Sequence, residues 1–300
     1  MVGPGLTNDF SATCAGTRLD GGGPAIPVTA KRGGLELRRI LHLITAAVVA
    51  GAVGVTAAAA ATARTDATPP PGVAGKPVVS PSAERVLHQM SEYLGSAGEF
   101  TFHADILFDH VLPSGQKLQY SAGEDVALQR PGRLYVEWSG DLGDRQLWYD
   151  GGAVTLYDPS TPYYASQGAP GDIDTMLDTV TTQMGFTPPL DDFLYRDPFK
   201  ALAGDVIYST DLGVTQVNGR ACRTLAFVGK DVDWEIWIGS ATQPTPCKLV
   251  ITYKNHPSQP QFSAVFTDWD FAPRIAASAF TPELPPGIKK VPFSNVRAAQ

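Results

Sequence analysis

The stretch EFTFHADILFDH, Glu99 to His110, carries two histidines and two aspartates within eight residues. Such groups at short spacing bind divalent metals or share a proton. Read as a strand, it puts His103, Asp105 and Asp109 on one face and His110 on the other. His103 and Asp105 then lie about 6.6 Å apart, close enough to hold one ion if a neighbouring strand supplied a third ligand. Asp109 is roughly 13 Å further along and cannot join that ion. Because these polar residues alternate with Phe100, Phe102, Ile106 and Phe108, the patterning favours a solvated outer face behind a buried one. No metal is expected.

Other chemistry is thinner. Ser139 in EWSGD lacks the first glycine of a nucleophile elbow. The pairs Asp172/Asp174, Asp231/Asp233 and Asp268/Asp270 do not make an EF-hand loop, and two of them lie at turns or strand ends, where aspartate is commonly structural. Asp and Glu are numerous, but sequence does not set the separation a glycosidase pair requires. The expectation is a non-enzymatic protein with no cofactor. The formal charge of −7 gives no attraction to phosphate, so nucleic acid and anionic membrane surfaces are set aside as partners.

Residues 1–63 read as a signal peptide with an extended N-terminal region. Lys31, Arg32, Arg38 and Arg39 precede an uncharged run from Ile40 to Ala63 that ends in Ala61-Thr62-Ala63. The alternative is an uncleaved segment anchoring the protein to the inner membrane, since the run is long enough to span one. Its Ala- and Gly-rich second half favours cleavage. The leader holds five Lys/Arg and three Asp/Glu, so the remainder carries 18 basic residues against 27 acidic. A Pro-rich linker, 64–81, separates the leader from the part expected to fold, 82–293, and 294–300 is a tail.

The folded part opens with a helix, SAERVLHQMSEYLGSAG, with Ser82 as N-cap and Val86, Leu87, Met90 and Leu94 as its apolar stripe. About ten short strands follow, interrupted by helical patterns around Ile173–Val180 and Phe193–Leu202. Asn218-Gly219 marks a tight hairpin. This order implies an α+β fold with one large curved antiparallel sheet and helices packed on its concave side. The concave wall is expected to comprise Phe100, Phe102, Ile106, Phe108, Leu134, Val136, Trp138, Trp234, Ile236, Ile238, Leu249, Ile251, Phe262 and Phe266, with Tyr253 on the same parity. It is either a core filled by the helices or a wall too large for them, enclosing a cavity. Tyr135, Trp148, Tyr157, Trp237 and Trp269 fall on the second face.

Cys222 and Cys247 remain after the leader, which contains Cys14, is removed. An exported protein is expected to pair them. In a simple meander they lie across an intervening strand, about 9.6 Å apart, beyond the ~7 Å limit of a bridge. The bridge forms only if the middle strand ends early, near Ile238.

The segments DVDWEIWIGS, PCKLVITYKNHPSQPQF and DWDFAP, with GRACRTLAF, SAERVLHQMSEYL and RPGRLYVEW, resemble a family of uncharacterised predicted periplasmic proteins, domain of unknown function 2092. The resemblance covers nearly all of residues 80–293. Cys247 departs from the family's pattern, which has a basic residue nearby. Membership implies a periplasmic location and the fold of the Lol lipoprotein carriers and mycobacterial lipid-binding lipoproteins, a half-open barrel closed by helices over an apolar cavity. It thus implies a hydrophobic ligand, an acyl chain or a lipoprotein, for a carrier or chaperone. The alternatives are an envelope interaction or sensor module that binds a protein partner through the same fold and, least supported, a hydrolase.

Overall fold

A computed structural model of the chain describes residues 79–293. The signal segment and most of the Pro-rich linker, up to residue 78, lie outside the described residues, as does the tail, 294–300.

Twelve strands form one sheet in the order β12-β6-β5-β4-β3-β2-β1-β11-β10-β9-β8-β7. They are β1 Glu99–Val111, β2 Lys117–Gln129, β3 Arg133–Gly140, β4 Arg145–Tyr149, β5 Ala153–Tyr157, β6 Tyr163–Gly168, β7 Val206–Val217, β8 Arg220–Gly229, β9 Val232–Ile238, β10 Pro246–Tyr253, β11 Gln261–Asp270 and β12 Lys289–Val291. The sheet is open, with β12 and β7 at its edges. The expected ten strands are thus twelve, and one neighbouring pair departs from the antiparallel rule: β12 lies parallel to β6. The hairpin at Asn218-Gly219 is observed, with both residues at positive φ (49° and 79°), the conformation a two-residue turn of right-twisting strands demands.

The cover over the concave face is built from short pieces. Helix α1, Pro81–Ser96, is followed, in the segment between β6 and β7, by α2 (Ile173–Thr179), a π turn (Val180–Met184), a 3-10 turn (Asp191–Phe193) and α3 (Pro198–Ala203). Helix α1 starts one residue before the expected N-cap. Ser80, not Ser82, caps it, accepting from the Ala83 amide at 3.4 Å. Pro81 supplies the reason, since its missing N–H and fixed φ suit the first helical position. Ser82 is thereby freed to donate to Asp211 on the edge strand β7, which also accepts from Arg223 at 2.7–2.9 Å. These bonds hold the Asp211 carboxyl down at about 2.

Gly95 lies inside α1 and lets the cover pack tightly. A Cβ there would come 2.1 Å from the Arg196 carbonyl oxygen, so any other residue would push α1 from the α3 segment. Ser91 Oγ accepts from the Phe199 amide at 2.9 Å, and the His88 and Phe199 rings stack at 3.5 Å. Arg130, in the β2–β3 turn, donates to the carbonyls of Leu194 and Tyr195, both at 3.1 Å, and so ties the cover to the sheet. Among the described residues no helix is long and apolar enough to cross a membrane.

Candidate functional site

Residues facing one another across the strands make rows on the concave wall. Phe100, Leu128, Leu134, Tyr149 and Val154 form one, and Phe102, Val126, Val136, Leu147 and Leu156 the next. On the other side of β1 run Ile106–Ala264–Leu249–Ile236–Leu225 and Phe108–Phe262–Ile251–Trp234–Phe227. Phe227 and Trp234 stack face to face at 3.9 Å. Of the fourteen residues assigned to this wall, thirteen are buried, including Ile238 and Phe266, and Trp138 is half-buried with its ring 6.0 Å from Phe108. The wall and the apolar side chains of α1, α2, the π turn and α3 form a single cluster.

Trp269 leaves the face that alternation assigns it. Asp268 has a positive φ of 54°, and the register slips between His103↔Thr267 and Thr101↔Asp270, so two residues of β11 oppose Phe102. This bulge turns Trp269 inward, where its ring lies 4.5 Å from Phe102 and 5.7 Å from both Phe100 and Phe271.

Within this apolar surround sit carboxyls. The row Phe266–Ala104–Glu124–Trp138 places Glu124 inward, fully buried, and neither of its oxygens has a hydrogen-bond partner. Burial first, then the charges of Asp191 and Asp125, hold its pKa well above the ordinary carboxyl range. The 3-10 turn brings Asp191 and Asp192, each 6% exposed, to the interior. Phe193, next in that turn, seats edge-on against Phe266 at 5.3 Å. Burial pushes Asp192 up to about 7. The Tyr253 hydroxyl is buried without a hydrogen-bond partner, and burial together with the charge of Asp192 raises its pKa. A carboxyl in this state keeps its proton to a higher pH than a solvated one, because burial disfavours the charged form.

The sequence reading missed Glu124, Asp191 and Asp192. The signal for Glu124 was present: in KLQYSAGEDVALQR it shares the parity of Ala122, Val126 and Leu128, so a charge stands at an apolar position. No comparable pattern marks Asp191 and Asp192, because an isolated 3-10 turn has no periodicity.

The histidine cluster lies on the opposite face. His103 Nδ1 is 2.8 Å from Asp125 Oδ1, its Nε2 3.5 Å from Asp105 Oδ1, and its ring packs over Gly123. Burial opposes the charge on His103, but Asp125 and Asp105 together outweigh it and raise the pKa. A groove of about 420 Å³, open to solvent, is lined here by Thr101, His103, Asp125, Ala127, Tyr135 and Asp268. Asp105 is exposed as expected. Asp109 is not: it is 6% exposed and accepts from Lys117 Nζ at 2.9 Å and the Gln261 amide at 3.0 Å, tying β1 to the strand on either side. Among the described residues no three His, Cys, Asp or Glu side chains come together to hold a metal ion.

Cys222 and Cys247 are disulfide-bonded, with Cα atoms 6.7 Å apart. Strand β9 ends at Ile238, which pairs with Arg223 on one side and Pro246 on the other, and a register shift follows Pro246. Beyond that end the flanking strands converge.

No curated protein matches this sequence. Among solved structures, the chain is similar to LprF from Mycobacterium bovis, 15% identical, with 67% of this chain and 97% of that one covered and a TM-score of 0.39. It is similar to an uncharacterized conserved protein from Thermus thermophilus, at 11% identity over 70% and 99% of the two chains, TM-score 0.41. The LolA superfamily protein NE2245 from Nitrosomonas europaea is 12% identical over 67% and 98%, TM-score 0.35. One family model spans residues 83–294, nearly the whole of the described domain, and the chain belongs to that family, DUF2092, described as predicted periplasmic protein.

Proposed function

We propose that this protein binds a hydrophobic guest, an acyl chain or the lipid part of a lipoprotein, between the concave wall and its helical cover, and carries it through the periplasm without catalysis. The observation that carries this reading is the make-up of the cover. The wall is a largely apolar surface across an open twelve-stranded sheet, buried in the described residues under α1, the helical stretch 173–184 and two short pieces, the 3-10 turn and α3. Short elements that depend on tertiary packing open at low cost, and the two free edges let the sheet flex.

Burial contributes about 0.8 kcal/mol per CH₂, so a ten-carbon chain gains roughly 8 kcal/mol before the cost of ordering it. The family's description supports the compartment. The test is mass spectrometry of organic extracts from protein purified out of the periplasm. Reproducible, near-stoichiometric lipid is expected. Protein that is lipid-free and takes up no alkyl chain on incubation overturns the reading and turns attention to a protein-binding envelope module.

A further inference from the structure

Past β11, at the centre of the sheet, the chain runs on to the far edge. A second 3-10 turn, Ala277–Phe280, lies against β3. Phe280 is buried there but stands apart from the main apolar cluster, as do Trp148 and Tyr157 of the outer face. Strand β12 then pairs with β6, and the Lys289 amide donates to the Pro162 carbonyl at 2.9 Å. Val291 pairs with Ala165, which faces the interior, so the chain reaches the edge turned inward. Two residues on, Phe293 is buried in the inner cluster. Its ring stacks on Phe186 of the cover, with centroids 5.7 Å apart and planes 10° apart. Residues 277–293 thus form a strap that passes round the β6 edge from the outer face of the sheet to the inner one.

The cover is held unequally along its length. At β7, the Ser80 amide donates to Ser209 Oγ at 2.9 Å and Ser82 donates to Asp211. Where the cover leaves β6, the Tyr149 hydroxyl lies 3.0 and 2.7 Å from the Ala169 and Gly171 carbonyl oxygens, and the Ile173 amide donates to Pro131 at 2.8 Å. Residues 180–190 have no such tie. Among the described residues, every hydrogen bond they make stays within the cover, such as those from the Gly185 amide to Val180 and between Thr181 and Thr187. Apolar packing alone holds them, and the strap supplies Phe293 to it. The strap's own grip is small, since β12 makes the shortest pairing in the sheet and a parallel one. The β8–β10 side is instead cross-linked through Cys222 and Cys247. Segments with few bonds and few buried contacts open first. We propose that the strap is a latch: when β12 leaves β6 and Phe293 leaves Phe186, residues 180–190 lift and the interior opens along the β6 side, while the disulfide-bonded half stays closed. That the opening admits a guest rests on the reading that the wall takes a hydrophobic chain; the latch itself does not.

The experiment follows amide hydrogen exchange by mass spectrometry in three forms of the full-length protein. They are the wild type, Phe293→Ala, and the pair Tyr164→Cys/Lys290→Cys, oxidised to lock β12 to β6 at register partners on the outer face. Phe293→Ala is expected to speed exchange over residues 180–190 about tenfold or more while β8–β10 stay within about twofold. The lock is expected to slow exchange over 180–190 about tenfold against either single-cysteine variant. Uniform acceleration in Phe293→Ala, or no change at 180–190 in the locked form, overturns the latch. The lock keeps the test decisive should Phe293→Ala fail to fold. Uptake of the fluorescent apolar probe N-phenyl-1-naphthylamine then asks whether the latch gates entry: uptake should be faster in Phe293→Ala and slower in the locked form. Equal uptake rates in all three forms overturn the latch as a gate. Exchange that responds as expected in protein that takes up no probe upholds the latch and removes the hydrophobic site instead.

Discussion

Glu124 and Asp125 are neighbours in the chain and occupy different solvents. Asp125 points out of the sheet, exposed at its carboxyl, and shares a proton-bearing partner with Asp105 in His103. Glu124 points in, with no exposure and no partner. One step along a strand reverses the facing of the side chain, and with it the medium, the pKa and the use to which an acid can be put. The outer acids resemble chemistry but behave as ordinary solvated ion pairs. Glu124 leaves no trace in a search for paired histidines and aspartates, yet both its carboxyl oxygens are buried without a hydrogen-bond partner.

The contrast is sharpest where a side chain holds up the inner wall. Trp234→Ala removes a buried ring stacked on Phe227 and should cost about 3–5 kcal/mol in urea unfolding. An outward tryptophan gives the control: Trp237→Ala loses only a bond to Thr215 and a cation over its ring, and should cost well under half as much.

Next in size is a pH effect confined to the inner face. Asp192, near 7 in the native state, and Glu124, also raised, keep protons that the unfolded chain gives up near 4. The native state therefore binds more protons across about pH 4 to 7, and stability falls as pH rises through that window. The loss is on the order of a few kcal/mol. Unfolding curves for wild type and the double variant Glu124→Gln/Asp192→Asn should diverge across this range, the variant gaining relative stability toward pH 8. Parallel curves would show that the two inner acids titrate normally and would erase the distinction drawn here.

Smallest is the outer counterpart. Asp125→Asn should change stability by less than about 0.5 kcal/mol. It should still lower the His103 pKa toward 6.5 in an NMR titration, because the first of its two carboxylate partners is gone. An unmoved His103 would mean that Asp105 alone sets its charge.

Much of this was legible in the residues. Alternation is enforced wherever one face is buried, so the wall from Phe100 to Phe266 follows from parity alone. What escaped did so for local reasons. A bulge adds a residue without any compositional mark, so Trp269 changed face at Asp268, and the capping of α1 hinged on a proline one position before the better-looking serine. Asp109 alternates like a surface residue but lies opposite Lys117 and the start of β11, which only the pairing of distant strands reveals. The inner carboxyls divide: Glu124 broke a pattern and could have been seen, whereas Asp191 and Asp192 sit in a turn whose destination depends on Phe193 finding Phe266.

The sheet order has a consequence for how the domain comes into being. β1, the first strand made, sits at the centre and pairs on one side with β2 and on the other with β11, with Phe108 opposite Phe262. A growing chain can zip β1 through β6, and later β7 through β10, from neighbouring hairpins, but the two halves meet only when β11 arrives. Until then β1 and β10 each present a long apolar edge, a template for pairing with the wrong chain. The joining contacts span most of the domain, which makes this step slow on topological grounds. The domain can thus complete itself only after nearly all of it has been made.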